Sequence, residues 1–265
     1  MGVTELNSYY YSTQEGQERN DNITEFRGKV IGVDAPAWMH KIMTAPSTKS
    51  EFAEAFHALP PVSLRSMIRG WTKRAIEYFL ALGIRNLVFY FDGCRDPMKA
   101  EEDKMRREKV ENARLHFRSL IKLGNPSARD LINKKMMESV YVREDIVAIF
   151  KSIVLEMNQE VRGSPFQADQ QLAYDNKVGL IDAVMTEDSD ILVMGANITI
   201  TKFFPIPKDG SEDSKRGPCV ILRRENIDVL NKPLASLLLF VSLLGTDYIE
   251  RPFGQGKKKA EDLRV

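Results

Sequence analysis

The sequence places aspartates directly after three short apolar runs, a position from which they could act together. The acids at the ends of these runs are Asp34, Asp92, Asp188 and Asp190. Two further acids, Asp169 and Asp247, flank predicted helices and could join the same cluster. Clustered carboxylates raise one another's pKa values unless a cation neutralises them. Mg²⁺ prefers a few carboxylates together with water and substrate phosphate, and two such ions about 4 Å apart promote in-line cleavage of a phosphodiester. The acids therefore indicate a divalent-metal site that acts on phosphoesters.

Each of these acids also has a simpler explanation. An aspartate at the end of a strand is often only the N-cap of the helix that follows. The repetition at three strand ends, and the presence of two acids at one of them, weaken that explanation but do not remove it. On spacing alone, both the N-cap and the metal-ligand interpretation stay open.

The elements that must position the acids are predicted from alternating strand and helix patterns. The predicted strands are KVIGV (29–33), NLVFYF (86–91), EVRG (160–163), DAVMT (182–186), ITITKFF (198–204) and CVILR (219–223). The predicted helices cover 62–84, 99–123, about 128–138, about 142–157, 167–177 and 233–245. This alternation predicts an α/β fold with a mainly parallel central sheet flanked by helices. Because the carboxyl ends of parallel strands share one edge, the acids are expected to converge there.

Composition excludes several classes of protein. The net charge of +1 gives no global basic field, so phosphate binding must depend on local patches or on bound metal. Two cysteines and three histidines without HxxxH spacing argue against a disulfide framework and a zinc centre, and they fit a reducing intracellular compartment. The longest apolar run, within 233–245, is too short to cross a bilayer.

Five segments, in order along the chain, resemble the flap endonuclease / xeroderma pigmentosum group G superfamily of 5′ nucleases, and most of all its exonuclease 1 branch. They are VDAPAWMHK, FYFDGCRDPMK, SPFQADQQLAY, AVMTEDSDIL and LLGTDYIERPFGQGKKKAEDL. The resemblance implies a single nuclease core over 1–265, with a helical arch over the active site. Its N-terminal part would cover about 1–120, its internal part about 140–245, and the start of a helix–two-turn–helix element about 246–265.

The resemblance also implies a role for each candidate site residue. The implied metal ligands are Asp34, Asp92, Gln167, Asp169, Asp188, Asp190 and Asp247. The implied catalytic cations are Lys99 and Arg106, which match arch residues that contact the scissile phosphate. They are seven residues apart, about two helical turns, and so share a helix face. Without the resemblance, their helix would be interpreted as an ordinary charged surface helix. The implied DNA-contacting residues are Gly2, His40, Gly254, Gly256 and Lys257.

Gln167 departs from the family pattern, which has a glutamate at this position. The carboxamide is nearly isosteric, but it removes one negative charge and coordinates Mg²⁺ more weakly. We expect the metal near Asp34 and Asp92 to be weakened, and cleavage to be slowed or abolished. Two explanations stay open: a natural residue of a weak or repurposed nuclease, and an engineered change that permits binding without cleavage. Pro36 is a second departure, since the exonuclease 1 branch often has a stacking aromatic there.

The expected activity is therefore Mg²⁺-dependent hydrolysis of DNA phosphodiesters at a 5′ flap, nick or recessed end, by an exonuclease or a flap endonuclease. The resemblance implies two Mg²⁺ ions, which Mn²⁺ could replace, a K⁺ ion at the helix–two-turn–helix, and a nuclear role in repair or replication. We expect no membrane partner, and we expect further C-terminal sequence through which protein partners bind. One rival is a nuclease-like scaffold that binds nucleic acid or protein without cleaving. The other is a Mg²⁺ phosphatase of small phosphoesters, which the predicted arch helix and GQGKKKA disfavour.

Overall fold

A seven-stranded sheet organises the chain, and a computed structural model describes residues 21–44, 62–94, 97–123, 128–188, 190–203, 211 and 215–244. The strands are β1 (Asp21–Asn22), β2 (Val30–Asp34), β3 (Asn86–Phe91), β4 (Glu160–Gly163), β5 (Ala183–Met185), β6 (Ile198–Thr201) and β7 (Pro218–Arg223). The helices are α1 (Ala35–Thr44), α2 (Val62–Ala81), α3 (Ala100–Leu123), α4 (Arg129–Glu138), α5 (Glu144–Glu156), α6 (Ala168–Lys177), α7 (Asp190–Val193) and α8 (Leu234–Leu244). No helix among these residues is both long and apolar enough to cross a bilayer.

The strand order is β1-β7-β6-β5-β2-β3-β4. The five strands from β6 to β4 run parallel, whereas β7 pairs antiparallel with both β6 and β1. The predicted mainly parallel α/β sheet is therefore confirmed. The antiparallel edge was not predicted, because an apolar run carries no information on strand direction.

Two layers of helices cover the sheet, and alternate strand residues determine which layer each strand contacts. On one face, β2 and β3 side chains such as Val33 and Phe89 pack against α1, α2 and α5. Trp38 lies at the centre of this layer, fully buried, with its ring 5.2 Å from Phe89. On the other face, Val88 and Val184 pack against α6, α7 and α8. The central strands β2, β3 and β5 are buried on both faces, which explains why they appear as continuous apolar runs.

Successive strands of the chain are added first on one side of β2 and then on the other side. From β2 the chain continues to β3 and β4 on one side, and it then returns to β5 on the other side. A ligand-binding crevice forms outside the carboxyl ends of the strands at such a switch point. Gly32 lets α6 pack directly on β2, because a Cβ there would lie 2.7 Å from a methyl carbon of Leu172.

Helix α3 packs mainly against α4, through a small apolar cluster formed by Phe117 and Met136. Most of its other side chains are exposed. The predicted long charged helix is confirmed, with a short 3-10 turn at Pro97–Lys99 before it. The arch over the site remains a prediction, and the helix–two-turn–helix segment lies outside the described residues.

Candidate active site

Asp34 is the last residue of β2 and lies beside the switch point. Its carboxylate accepts hydrogen bonds from the Ala37 amide at 3.0 Å and from Thr186 Oγ1 at 2.7 Å. The side chain is buried, and its pKa is raised to about 6, mainly by burial. The charges of Asp92 and Asp188 contribute to this increase in pKa, and the two hydrogen bonds oppose it. Asp34 is thus an acid whose negative charge is poorly compensated by the protein.

The loop after β5 brings Asp188 to the same place. Thr186 Oγ1 donates to Asp34 and accepts a hydrogen bond from the Asp188 amide at 3.1 Å, so this threonine joins the two acids. Asp188 Oδ1 in turn accepts from the Asp190 amide at 3.0 Å, at the start of α7. Thr186 was not predicted as a site residue. The available signal was a small polar residue between a buried strand and two acids.

Asp92, which follows β3, is bonded to the start of α6. Its Oδ1 accepts a hydrogen bond from the Ala168 amide at 2.8 Å. Gln167 is the N-cap residue of α6, with φ −91° and ψ 143°, but its own side chain makes no capping hydrogen bond. The acid that follows β3 therefore caps the helix that carries Asp169, and Gln167 directly precedes the residue whose amide it binds.

Asp169, in the first turn of α6, completes the group. Burial raises its pKa well above the usual range, and the charges of Asp34, Asp188 and Asp92 raise it further. Lys99, just before α3, opposes these effects and lowers the pKa of Asp169. Four acids from four separate segments therefore repel one another electrostatically at the carboxyl edge of the sheet. One lysine, Lys99, lies close enough to lower the pKa of Asp169.

The N-cap interpretation is confirmed for two of these acids, and the metal-ligand interpretation stays a prediction. Asp34 and Asp188 accept hydrogen bonds in the first turns of the helices that follow them, as N-caps do. A capping role alone does not explain why four carboxylates lie within electrostatic reach, with Asp34 buried and Asp169 partly buried. Hard oxygen donors that repel one another are the chemistry that Mg²⁺ compensates.

The spacing of the acids decides how such an ion would be held. Within the described part of the chain, no three His, Cys, Asp or Glu side chains approach a common point closely enough to hold an ion by themselves. Mg²⁺ commonly takes only one or two carboxylates and completes its shell with water and phosphate oxygens. The donor set therefore fits a hydrated Mg²⁺ rather than an ion enclosed by protein.

The remaining predicted site residues fall into two groups. Asp190 adjoins Asp188, His40 is exposed on α1, and Arg106 is exposed on α3, about 10 Å along the helix from Lys99. Those outside the described residues are Gly2, Asp247, Gly254, Gly256 and Lys257.

Comparison with known proteins identifies two domains of one family. Residues 1–113 match the XPG N-terminal domain, and residues 160–247 match the XPG I-region. Exodeoxyribonuclease 1 of Schizosaccharomyces pombe is 28% identical over 251 residues, which cover 92% of this chain and 39% of that protein. Exonuclease 1 of Xenopus laevis is 25% identical, covering 90% and 30%. Flap endonuclease 1 of Leishmania major is 26% identical, covering 98% and 63%. The chain thus spans only 30–39% of these exonuclease 1 relatives.

Solved structures share the fold at lower identity. The catalytic core of Rad2 in complex with a DNA substrate matches with a TM-score of 0.65 at 19% identity, covering 98% of this chain and 67% of that one. Human GEN1 in complex with Holliday junction DNA gives 0.61 at 17% identity, covering 99% and 55%. Flap endonuclease-1 from Methanococcus jannaschii gives 0.59 at 19% identity, covering 95% and 76%. With the XPG N-terminal and I-region domains both present on this fold, the chain belongs to the flap endonuclease / XPG superfamily.

Proposed function

We propose that this chain is the core of a Mg²⁺-dependent, structure-specific 5′ nuclease that hydrolyses DNA phosphodiesters at 5′ flaps, nicks or recessed ends. We place it in the exonuclease 1 branch, with a nuclear role in repair or replication. The observation that carries the proposal is the group of mutually repelling acids at the sheet edge, Asp34, Asp92, Asp169 and Asp188. The relatives named exonuclease 1 and the DNA-bound Rad2 and GEN1 structures support DNA as the substrate.

The acids would divide between two ions. Asp34, Asp92 and Asp169 would surround one ion, partly through its bound water, and Asp169, Asp188, Asp190 and Asp247 would surround the second. Bound divalent ions would supply an activated water and neutralise the phosphate. The protein contributes fixed positions for the acids, because hydrogen bonds restrict how far three of the carboxylates can move. Ala37 and Thr186 donate to Asp34, Ala168 donates to Asp92, and Asp190 donates to Asp188.

The cations would act on the phosphate itself. Lys99 lowers the pKa of Asp169 through its charge, and we infer that its ammonium group would stabilise a phosphoryl oxygen bound near the acids. Arg106, two turns further along the same helix, would contact the growing negative charge with its guanidinium fork. The K⁺ ion and the backbone contacts of Gly254 and Gly256 remain part of the proposal for duplex binding.

Gln167 would limit the rate of phosphodiester cleavage. It occupies the N-cap of α6, two residues before Asp169 and next to the amide that binds Asp92. A glutamate there would add a fifth negative charge to the four acids. The amide oxygen can still accept or coordinate, but it attracts a cation less strongly than a carboxylate. We infer that the chain binds divalent ions weakly on the Asp34–Asp92 side and cleaves slowly.

The test compares the chain with Gln167→Glu on end-labelled 5′-flap and nicked duplexes in Mg²⁺, with Ca²⁺ used to measure binding without turnover. Gln167→Glu should increase the cleavage rate by about 10²-fold or more, as expected when an electrostatic group of the site is restored. Gln170→Glu is the matched control: it adds the same charge at an exposed position of α6 and should change the rate by less than about fivefold.

A DNA- or protein-binding scaffold without cleavage is the second candidate, and Gln167 is the observation that favours it. Under that function, Gln167→Glu would bind the duplex as the parent does and would never cut it. Tight Mg²⁺-independent binding by both forms, with no product after prolonged incubation in Mg²⁺ or Mn²⁺, would therefore replace the nuclease proposal.

A further inference from the structure

A buried polar network, separate from the candidate metal ligands, ties α6 to the sheet. Asp175, which is 3% exposed, accepts hydrogen bonds at Oδ2 from Tyr90 Oη at 2.5 Å and from Arg162 Nη1 at 2.9 Å. Its Oδ1 accepts from Gln171 Nε2 at 2.7 Å. Arg162 Nη1 also donates to Tyr90 Oη at 2.8 Å, and its Nε donates to Glu160 at 2.6 Å. Both oxygens of the carboxylate are therefore satisfied, in a closed Asp–Arg–Tyr triangle.

The triangle joins one helix to two neighbouring strands. Tyr90 on β3 is directly opposite Arg162 on β4 in the parallel register. Asp175 lies in the C-terminal half of α6, whereas Asp169 lies in its first turn. Tyr90 precedes Asp92 by two residues, so the strand that carries one candidate ligand is bonded to the helix that carries another.

The network is better suited to fixing a geometry than to adding stability. A buried ion pair loses hydration that its attraction barely restores, and apolar residues of similar volume often stabilise as well or better. Directional hydrogen bonds, in contrast, permit one arrangement of the groups that they join. The opposite end of α6 is bonded as well, since the Ala168 amide donates to Asp92 at 2.8 Å. Between these two bonds, Leu172 provides only non-directional apolar packing over Gly32.

We propose that Asp175 is a positioning residue, which acts through Arg162 and Tyr90 to set how the start of α6 lies against the end of β3. By this action it fixes Asp169 and Gln167 relative to Asp92. The consequence for metal binding rests on the proposed nuclease function, whereas the consequence for the α6–β3 geometry does not.

The experiment measures two quantities at 20 °C, where each variant is first shown to be folded. The first is Mn²⁺ affinity by electron paramagnetic resonance, in the chain and in its Gln167→Glu form. The second is hydrogen exchange at the Ala168 amide, whose acceptor is Asp92. Asp175→Asn should weaken Mn²⁺ binding about tenfold, as loss of a group that orients metal ligands does. It should also accelerate Ala168 exchange by at least about tenfold, because local opening of α6 becomes easier.

Two further variants keep the result interpretable. Asp175→Leu with Arg162→Leu removes both charges, leaves no unpaired guanidinium, and should show the same two changes even if Asp175→Asn folds poorly. Ile153→Ala, in the apolar layer on the opposite face, lowers stability without touching α6, and it should change neither quantity in the folded protein. Unchanged Mn²⁺ affinity and unchanged Ala168 exchange in both network variants would overturn the proposal. If neither parent form binds Mn²⁺, the nuclease function fails, while Ala168 exchange alone still decides the positioning role.

Discussion

The carboxyl edge of the sheet and helix α3 hold their charged residues by different means. At the sheet edge, Asp34 and Asp92 are fixed by hydrogen bonds to backbone amides of two helices. Helix α3 has 24 residues, about 36 Å, and it packs mainly on α4 with most of its surface exposed. The acids are therefore positioned by the fold as a whole, whereas the cations depend on the placement of one helix.

The two regions also differ in electrostatic cost. At the sheet edge the pKa of Asp34 is raised to about 6 by burial and by neighbouring acids, so the fold holds a charge that it does not stabilise. On α3, charged groups are exposed and several form pairs one turn apart, such as Glu111 with Arg114. Unfavourable burial of charge, as at Asp34, is typical of a functional site, where a preorganised charge is retained although it lowers the stability of the fold. Substitutions in the two regions should consequently affect different properties of the protein.

The largest effect is expected at the sheet edge. Asp34→Asn, made together with Gln167→Glu, should reduce cleavage by about 10³-fold, because the buried charge that attracts a cation is lost while the shape is kept. It should also abolish the increase in melting temperature that Mn²⁺ produces. Cleavage rates and thermal unfolding with and without Mn²⁺ provide the measurements.

Asp182→Asn is the control for Asp34→Asn at the opposite edge of the sheet. Asp182 similarly accepts from a backbone amide, that of Val30 at 2.8 Å, and it pairs with Lys29 at 3.1 Å. Its substitution should cost some stability and leave Mn²⁺ binding unchanged. If the two variants lost metal binding equally, the carboxyl edge of the sheet would not be a specific metal site.

An effect of about 10² on the rate is expected from Arg106→Ala on α3, also made with Gln167→Glu, because one donor to the developing phosphate charge is removed. Mn²⁺ affinity and the melting temperature should not change, since the guanidinium is exposed and is not a proposed metal ligand. Arg114→Ala, an arginine further along α3, should change the cleavage rate little. If Arg106→Ala lowers metal affinity as strongly as Asp34→Asn, the distinction between the two regions is wrong.

The sequence was sufficient for the sheet edge because two simple rules act together there. Continuous apolar runs predict parallel strands, and the ends of parallel strands share one edge, so Asp34, Asp92 and Asp188 could be grouped before their geometry was known. The same patterns do not determine where α3 packs. They predict an amphipathic charged helix but contain no information on where a helix with so thin an apolar face docks.

The polar network of α6 was missed for a different reason. Arg162 and Asp175 resemble ordinary surface charges, and Tyr90 resembles a buried strand residue, so no local pattern joins residues that are 13 to 85 positions apart. One signal was available. An aspartate in the last turns of a helix opposes the helix dipole, and a local rule that is broken often marks a tertiary or functional requirement.

A glycine substitution in the loop after β3 should disturb the sheet edge and leave helix α3 unchanged. The Gly93 amide donates to Phe166 O at 2.6 Å, and a Cβ at Gly93 would lie 2.7 Å from Pro165 O and still closer to Ser164 O. Gly93→Ala should therefore destabilise the fold by about 2 kcal/mol, because the two loops must separate. It should also weaken Mn²⁺ binding through displacement of Asp92. Urea unfolding and Mn²⁺ titration measure the two effects.

The matched substitution for Gly93→Ala is Gly70→Ala. Gly70 lies in helix α2, and a Cβ there has no neighbouring atom within 4 Å. Alanine should stabilise the protein by about 1 kcal/mol, because it favours the helix more than glycine does. Mn²⁺ affinity should not change. A destabilising Gly70→Ala, or a neutral Gly93→Ala, would contradict the contact geometry from which both effects are derived.

The smallest effect concerns access to the sheet edge rather than its chemistry. Cys94 is exposed in the loop that bonds to Pro165 O, beside Asp92, whereas Cys219 is buried in β7. Burial raises the pKa of the Cys219 thiol to about 12, so it should resist alkylation at pH 8. Only Cys94 should react in the native protein, and a saturating 5′-flap duplex in Ca²⁺ should slow that reaction a few-fold by covering the loop. Cys94→Ser removes the signal and identifies its source. If the duplex does not change the alkylation rate of Cys94, then it does not approach this edge of the sheet. The acids would in that case act on another substrate.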